Sequence, residues 1–183
     1  MDTLKYYRDR LAQYGPTYQA VDAGSEDSLI YRHSILASIL RGGTVLDVGC
    51  GYGRFCIHSS PKHYLGIDVL PEMIEAARKL YPDCRFEVGD IAHPKPEWEA
   101  DYVVASGMFQ FGDLDWVYTA LTHMCKLARK GVAVNFLREG AKEEFVVNSW
   151  TIGWMARLFS PYYTIRADYL PNDFTLFLYK ERP

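Results

Sequence analysis

The run Val45-Leu46-Asp47-Val48-Gly49-Cys50-Gly51-Tyr52-Gly53 constrains this chain more than any other segment. A short apolar stretch reads as a buried strand and feeds directly into three glycines spaced two apart. Glycine adopts backbone conformations closed to other residues and lets a second molecule approach the main chain. After the first strand of an open α/β sheet, such a loop faces a ligand at the switch point of the topology. The alternative is a plain tight turn. A phosphate loop would place Lys and then Ser or Thr after its glycines, and Arg54 and Phe55 stand there instead. A dinucleotide loop, G-x-G-x-x-G, requires glycine at position 54, which is again Arg54. Asp47, inside the strand, has no place in either motif; a carboxylate there suits a cationic group on the ligand.

Further strand-like runs follow at Tyr64–Ile67, Arg85–Val88, Tyr102–Ala105 and Val132–Phe136, the first strand being Thr44–Val48. Helical patterns fill two of the gaps: Pro71–Tyr81, with proline in its first turn, and Leu114–Ala128, capped by Asp113. Alternation of this kind predicts crossover connections and a parallel sheet covered on both faces. The Pro-rich stretch His93-Pro94-Lys95-Pro96 allows at most a short helix. Two last runs, Tyr163–Tyr169 and Phe174–Tyr179, are joined by four residues, too few for a parallel crossover, so they pair as an antiparallel hairpin. The expected architecture is α/β: a doubly wound, mostly parallel seven-stranded sheet with an antiparallel C-terminal hairpin. Two helices precede it, Asp2–Tyr14 and one starting at Ser25 and closed by Gly42-Gly43. No linker or repeat divides residues 1–183, which read as a single domain, 1–42 forming a helical cap and 43–183 the core.

Composition closes off several function classes. With 49% hydrophobic and 23% charged residues the chain is globular rather than disordered. A net charge of −3 and a pI near 5.9 argue against general nucleic-acid binding. Cys50, Cys56, Cys84 and Cys125 show neither C-x-x-C nor zinc-type spacing and read as reduced thiols. The five histidines show no ligand spacing, so no metal is assigned. The N-terminus lacks an apolar signal core, and no stretch has the length of a membrane span, which points to a soluble, cytoplasmic protein. Monomer and homodimer remain equally open.

Two more acids fall at strand ends. Asp68 closes Leu65-Gly66-Ile67-Asp68-Val69, about twenty residues beyond the first strand's acid, where a carboxylate grips ribose hydroxyls. Nicotinamide enzymes use the same device. Asp90 closes Glu87-Val88-Gly89-Asp90-Ile91, where its oxygen is placed to accept an adenine amino group. Each acid alone also suits a helix cap; three in register with a glycine loop form a pattern. The runs Val45–Phe55, Gly66–Ile74 and Phe86–Ile91 resemble the class I S-adenosylmethionine-dependent methyltransferases, over about positions 44–137. That resemblance implies S-adenosylmethionine as cofactor and the Rossmann-like methyltransferase fold, whose sheet ends in such a reversed hairpin. It places Asp47, Gly49, Gly51 and Gly53 around the methionine moiety, Asp68 with Val69 at the ribose, and Asp90 with the Ile91 backbone at the adenine. Ser106 falls beside the methyl group. Arg32 is a candidate for the cofactor carboxylate, with a surface arginine as the alternative.

For the acceptor, absences are more informative. The chain has Ala105-Ser106-Gly107-Met108-Phe109-Gln110-Phe111 where base N-methyltransferases carry an Asp/Asn-Pro-Pro-Tyr/Phe motif. The Pro-Cys of cytosine-C5 enzymes and the paired glutamates of arginine methyltransferases are missing too. A small-molecule acceptor remains by elimination. Its expected walls are Met108, Phe109 and Gln110, the tyrosines Tyr6, Tyr14 and Tyr18, and residues from Phe145 to Trp154. His33, Gln110 and Asn135 are the polar side chains placed to orient it or take a proton, against ordinary structural roles for each. Tyr14-Gly15-Pro16-Thr17-Tyr18 reads as the hinge of a lid. Rival readings are an NAD(P)-dependent oxidoreductase, a non-catalytic methyltransferase-like subunit, and a methyltransferase acting on RNA or protein.

Overall fold

The computed structural model describes residues 2–109, 113–137 and 149–183. Seven strands form one sheet: β1 (Val45–Val48), β2 (Tyr64–Asp68), β3 (Arg85–Val88), β4 (Ala100–Ala105), β5 (Ala128–Leu137), β6 (Tyr162–Arg166) and β7 (Asp173–Tyr179). Their order is β3-β2-β1-β4-β5-β7-β6. Strands β1 to β5 pair in parallel, and β7 lies antiparallel between β5 and β6. This is the expected doubly wound sheet with a reversed C-terminal hairpin, on the Rossmann-like methyltransferase plan.

Side chains alternate across each strand and so decide the layers. Leu46, Val48, Val103 and Ala105 face a core closed by α4 (Leu114–Leu127) and α5 (Ser149–Phe159). Val45, Tyr64, Tyr102 and Val104 face the opposite layer, built from α2 (Glu26–Ala37) and α3 (Pro71–Leu80). By the same alternation Asp47, paired with Val104 across β1 and β4, points into the α2 layer.

Local chemistry sets most helix boundaries. Ser25 and Ser28 exchange reciprocal side-chain bonds to backbone N–H groups, both 3.0 Å, and start α2. Asp113 accepts from Trp116 N at 2.8 Å and starts α4. Asp2 does the same for α1 (Thr3–Tyr14), accepting from Lys5 N at 3.1 Å. The expected α2 pattern runs on to Ile39, but the helix ends at Ala37, where the Ser38 hydroxyl donates to the Ile35 carbonyl at 2.6 Å.

Three departures have physical causes. The β1–β2 connection holds two short 3₁₀ turns, Arg54–His58 and Pro61–His63, because Ser59 is extended and Pro61 donates no hydrogen bond. Strand β6 stops at Arg166, short of the expected Tyr169. Tyr169 instead turns inward, and its hydroxyl meets Thr175 Oγ1 at 2.8 Å and Asn135 Nδ2 at 3.1 Å. Helix α5 has no counterpart in the sequence pattern. Its buried residues are Ile152, Met155 and Ala156, while Trp150 and Trp154 are exposed, which blurs the apolar stripe.

Candidate functional site

The chain leaves β1 toward β2 on one side and β4 toward β5 on the other. The loops after these adjacent strands therefore part and open a crevice at the carboxyl edge of the sheet. One wall is the loop Gly49–Tyr52, another is Ser106–Met108. Leu29, Arg32 and His33 of α2 form a third, and Thr3, Leu4 and Tyr7 of α1 together with Val21 cover the top. The cleft measures about 890 Å³ including its open mouth.

The three glycines do different jobs. Gly49, Gly51 and Gly53 all take positive φ, +67°, +53° and +82°. Gly49 and Gly51 border the cleft; a Cβ on Gly51 would lie 2.9 Å from Val21 Cγ1, so the N-terminal segment rests on bare backbone. Gly53 faces away: a Cβ there would meet the Phe86 ring at 2.6 Å. It supplies the left-handed turn that starts the first 3₁₀ segment.

Two acids sit beside that loop. Asp68 accepts from Gly51 N and Leu70 N, both at 2.9 Å, which ties the end of β2 to the glycine loop. Burial raises its carboxyl above the ordinary aspartate range, against the pull of those backbone donors. Asp47 is 2% exposed and accepts from the Tyr64 hydroxyl at 2.6 Å. Burial pushes it up to about 7, with nearby Asp68 adding to the rise and Tyr64 opposing it. Neither carboxylate has an ion-pair partner among the described residues. Bare backbone, a charge-poor acid and an acid with unused lone pairs fit a ligand that brings a cation and a diol. A pyrophosphate would meet like charge here, and only a five-residue 3₁₀ helix to receive it.

The remaining sequence candidates scatter. Val69 and Ser106 line the cleft. Arg32 lines it too, yet its guanidinium clasps Asp173 at 2.8 Å and 3.3 Å, both residues buried. His33 lines it; burial first, then His58, Arg32 and Arg54, bring its ring down to about 3, so it is neutral. Asp90 and Ile91 follow β3 outside the residues lining the cleft. Asp90 accepts from Ala92 N at 2.8 Å, and the Ile91 carbonyl meets His123 Nδ1 at 2.7 Å. Asn135 lies behind the cleft wall, donating to Asp173 at 2.7 Å. Gln110 and the stretch from Phe145 to Asn148 fall outside the described residues.

The aromatic wall is a matter of helical phase. Thr3, Leu4 and Tyr7 turn to the cleft, whereas Tyr6 donates to Asp22 at 2.8 Å and Tyr14 lies against the Arg10 guanidinium. The i, i+4 spacing of Thr3 and Tyr7 was the available signal; aromatic density was the misleading one. Tyr64 and Asp173 carried no such signal, because each acts through a partner distant in sequence. Among the described residues no three His, Cys, Asp or Glu side chains gather as a metal site.

Fold and cleft together define an α/β protein on the Rossmann-like methyltransferase plan, with a cleft at the switch point of the sheet. A sequence profile described as a methyltransferase domain matches residues 45–131. The trans-aconitate 2-methyltransferase of Enterobacter sp. is 34% identical over 92 residues, 46% of this chain and 34% of its own. A Mycobacterium tuberculosis protein provisionally named a methyltransferase is 32% identical over 105 residues, 51% of this chain and 63% of its own. The chain thus spans less than two thirds of the length of these curated relatives. The N-methyltransferase NodS of Bradyrhizobium japonicum, solved with S-adenosyl-L-homocysteine, shares the fold at a TM-score of 0.76. It is 16% identical, with 99% of this chain and 100% of that one covered. The profile match over residues 45–131, these relatives and the shared fold support a class I S-adenosylmethionine-dependent methyltransferase with S-adenosylmethionine as cofactor.

Proposed function

We propose that this chain transfers a methyl group from S-adenosylmethionine to a small-molecule acceptor by in-line displacement. The observation that carries this reading is two carboxylates without counter-cations beside a glycine loop at the switch point. When bound, the donor supplies a methyl electrophile on a sulfonium, leaving a neutral thioether. Asp47 sets its buried charge against the donor's cationic end. Asp68 turns its unused lone pairs to the ribose hydroxyls, beside Val69. Gly49 and Gly51 border the amino-acid portion and Gly53 holds their turn, while Asp90 and the Ile91 backbone read the adenine at the outer edge. Ser106 and Met108 flank the methyl.

Such a displacement requires alignment and exclusion of water more than acid–base chemistry. His33 is the polar candidate whose ring faces the cleft; held neutral, it orients an acceptor rather than storing a proton. Residues 1–42 act as a cap on the 43–183 core, with α1 lying over the glycine loop. The small-molecule reading is supported by the covered cleft and by the trans-aconitate relatives. We place the protein in the cytoplasm as a monomer or homodimer working without nucleic acid or membrane. Its free thiols and low pI support that placement, and no helix among the described residues is long and apolar enough to cross a membrane.

Calorimetry tests the core of this reading. S-adenosylmethionine and S-adenosylhomocysteine should bind and NAD should not; silence toward both sulfur nucleosides would sink it. Metabolite pools should stimulate S-adenosylhomocysteine formation, and deleting residues 1–20 should weaken binding or turnover. Full activity after that deletion would remove the cap from the mechanism.

A further inference from the structure

Helix α5 buries Ile152, Met155 and Ala156 in the core and turns its largest apolar side chains outward. Trp150, Trp154 and Leu158 recur every four residues, so they form one stripe about 12 Å long on the outer face. They are 86%, 66% and 57% exposed. The stripe continues onto α4. The Phe159 ring, next to Leu158, lies 5.5 Å from the Tyr118 ring, and Leu114 stands one turn before Tyr118. Tyr118 is 47% exposed and Leu114 42%. At these exposures the five side chains present roughly 600 Å² of surface, the upper end for the largest apolar patch on an ordinary monomer. That is most of the ~800 Å² per chain that a stable protein interface buries.

The residue types point the same way. Tryptophan, tyrosine and arginine carry most of the binding energy at protein interfaces, and Trp150, Trp154, Tyr118 and Arg157 stand together here. Arg157 Nε donates to the Tyr163 hydroxyl at 3.2 Å, which holds the guanidinium at the rim of the patch. Asp115 of α4 is exposed on the other side, so the rim has mixed sign and two copies meet without an excess of like charge. An anionic lipid surface attracts clustered lysine and arginine instead, and Arg157 is the one basic residue of α5.

We propose that the outer face of α5, with Leu114 and Tyr118 of α4, is the contact surface of a twofold homodimer. The two α5 helices cross antiparallel at Trp154, so each Trp150 packs toward the partner's Leu158 and the same patch serves both chains. This pairing is independent of what the cleft binds.

Fluorescence-detected sedimentation velocity tests it over a dilution series from roughly 10 nM to 100 μM, since interfaces of this size span micromolar to far tighter affinities. At the upper end wild type should run at twice the 21.0 kDa chain mass. Trp154→Glu and Leu158→Asp should each weaken association roughly a hundredfold, because each substitution enters a twofold contact twice. Both positions are exposed, so melting curves should stay close to that of wild type. Wild type at the single-chain mass throughout the series overturns the proposal, and so do variants that associate within twofold of wild type. Flotation with vesicles of phosphatidylcholine and phosphatidylserine is run on the same samples. Vesicle binding by a single-chain wild type would assign the face to lipid and overturn the dimer. If one variant does not melt as a folded protein, the other decides.

Discussion

At the amino edge of the sheet, Asp101 accepts from Thr44 N at 3.0 Å and from Arg129 Nε at 3.3 Å, with Lys130 Nζ at 3.5 Å. At the carboxyl edge of the same sheet, Asp47 and Asp68 accept from a tyrosine hydroxyl and from backbone N–H groups, without a cation. Residue type and sheet are the same, and the electrostatics are opposite. Asp101 is held below the usual aspartate range, chiefly by the Thr44 backbone donor and then by the Arg129 side chain. Asp47 is pushed up to about 7 by burial. One edge has completed its charge balance and serves the fold. The other holds its acids without a cation, and this is the edge where we propose that the ligand binds.

Substitutions at the two edges should therefore separate binding from stability. The largest effect is expected at Asp68→Ala: S-adenosylhomocysteine affinity falls roughly a hundredfold, about 2.7 kcal/mol. Equal affinity by calorimetry would show the carboxyl edge to be structural too. Gly51→Ala comes next. Its backbone at φ +53° and the 2.9 Å approach to Val21 Cγ1 predict a strain of roughly 1–3 kcal/mol and about tenfold weaker binding. A variant as stable and as tight as wild type would dissociate α1 and Val21 from the loop. Asp101→Asn should cost roughly 1–2 kcal/mol in denaturant unfolding and leave affinity within twofold.

The pH dependences are smaller and run in opposite directions. Asp47 has a folded-state value raised above 3.8, so its contribution to stability is full below that value and is lost as pH rises toward and through about 7. Binding of a cationic donor should instead tighten over the same rise, because the ionised form is the one that pairs. Asp47→Asn should flatten both slopes between pH 5 and 8; unchanged slopes would assign them elsewhere. His33 has a folded-state value lowered to about 3, so its contribution is full above 6.5 and fades as pH falls toward 3. His33→Leu should soften acid unfolding in that window, read from melting curves.

Legibility in the sequence tracked how local each cause was. The glycine loop, its preceding strand, the caps at Ser25 and Asp113, and the reversed hairpin are written in neighbouring residues, and each was readable. Asp68 and Val69 were readable because a strand end at the switch point has one address in this topology. Arg32 was identifiable as a cation near the cleft, but its clasp on Asp173 joins α2 to β7, and spacing carries no record of that. Asn135 had the right chemistry and the wrong neighbours, since its amide is spent on Asp173. Tyr6 and Tyr14 misled because aromatic content is visible in a sequence, whereas the rotation of α1 about its own axis depends on what it packs against.

The sequence by itself determined the order and type of the core strands, the turn at positions 49 to 53 and the sign of the charge flanking it. Covalent order and backbone sterics act over a few residues, so these need no knowledge of the rest of the chain. Only the tertiary structure decided that β7 inserts between β5 and β6, that Tyr64 reaches Asp47, and that Arg32 on α2 clasps Asp173 on β7. Those outcomes depend on which distant groups share a buried volume, and burial is a property of the assembled fold.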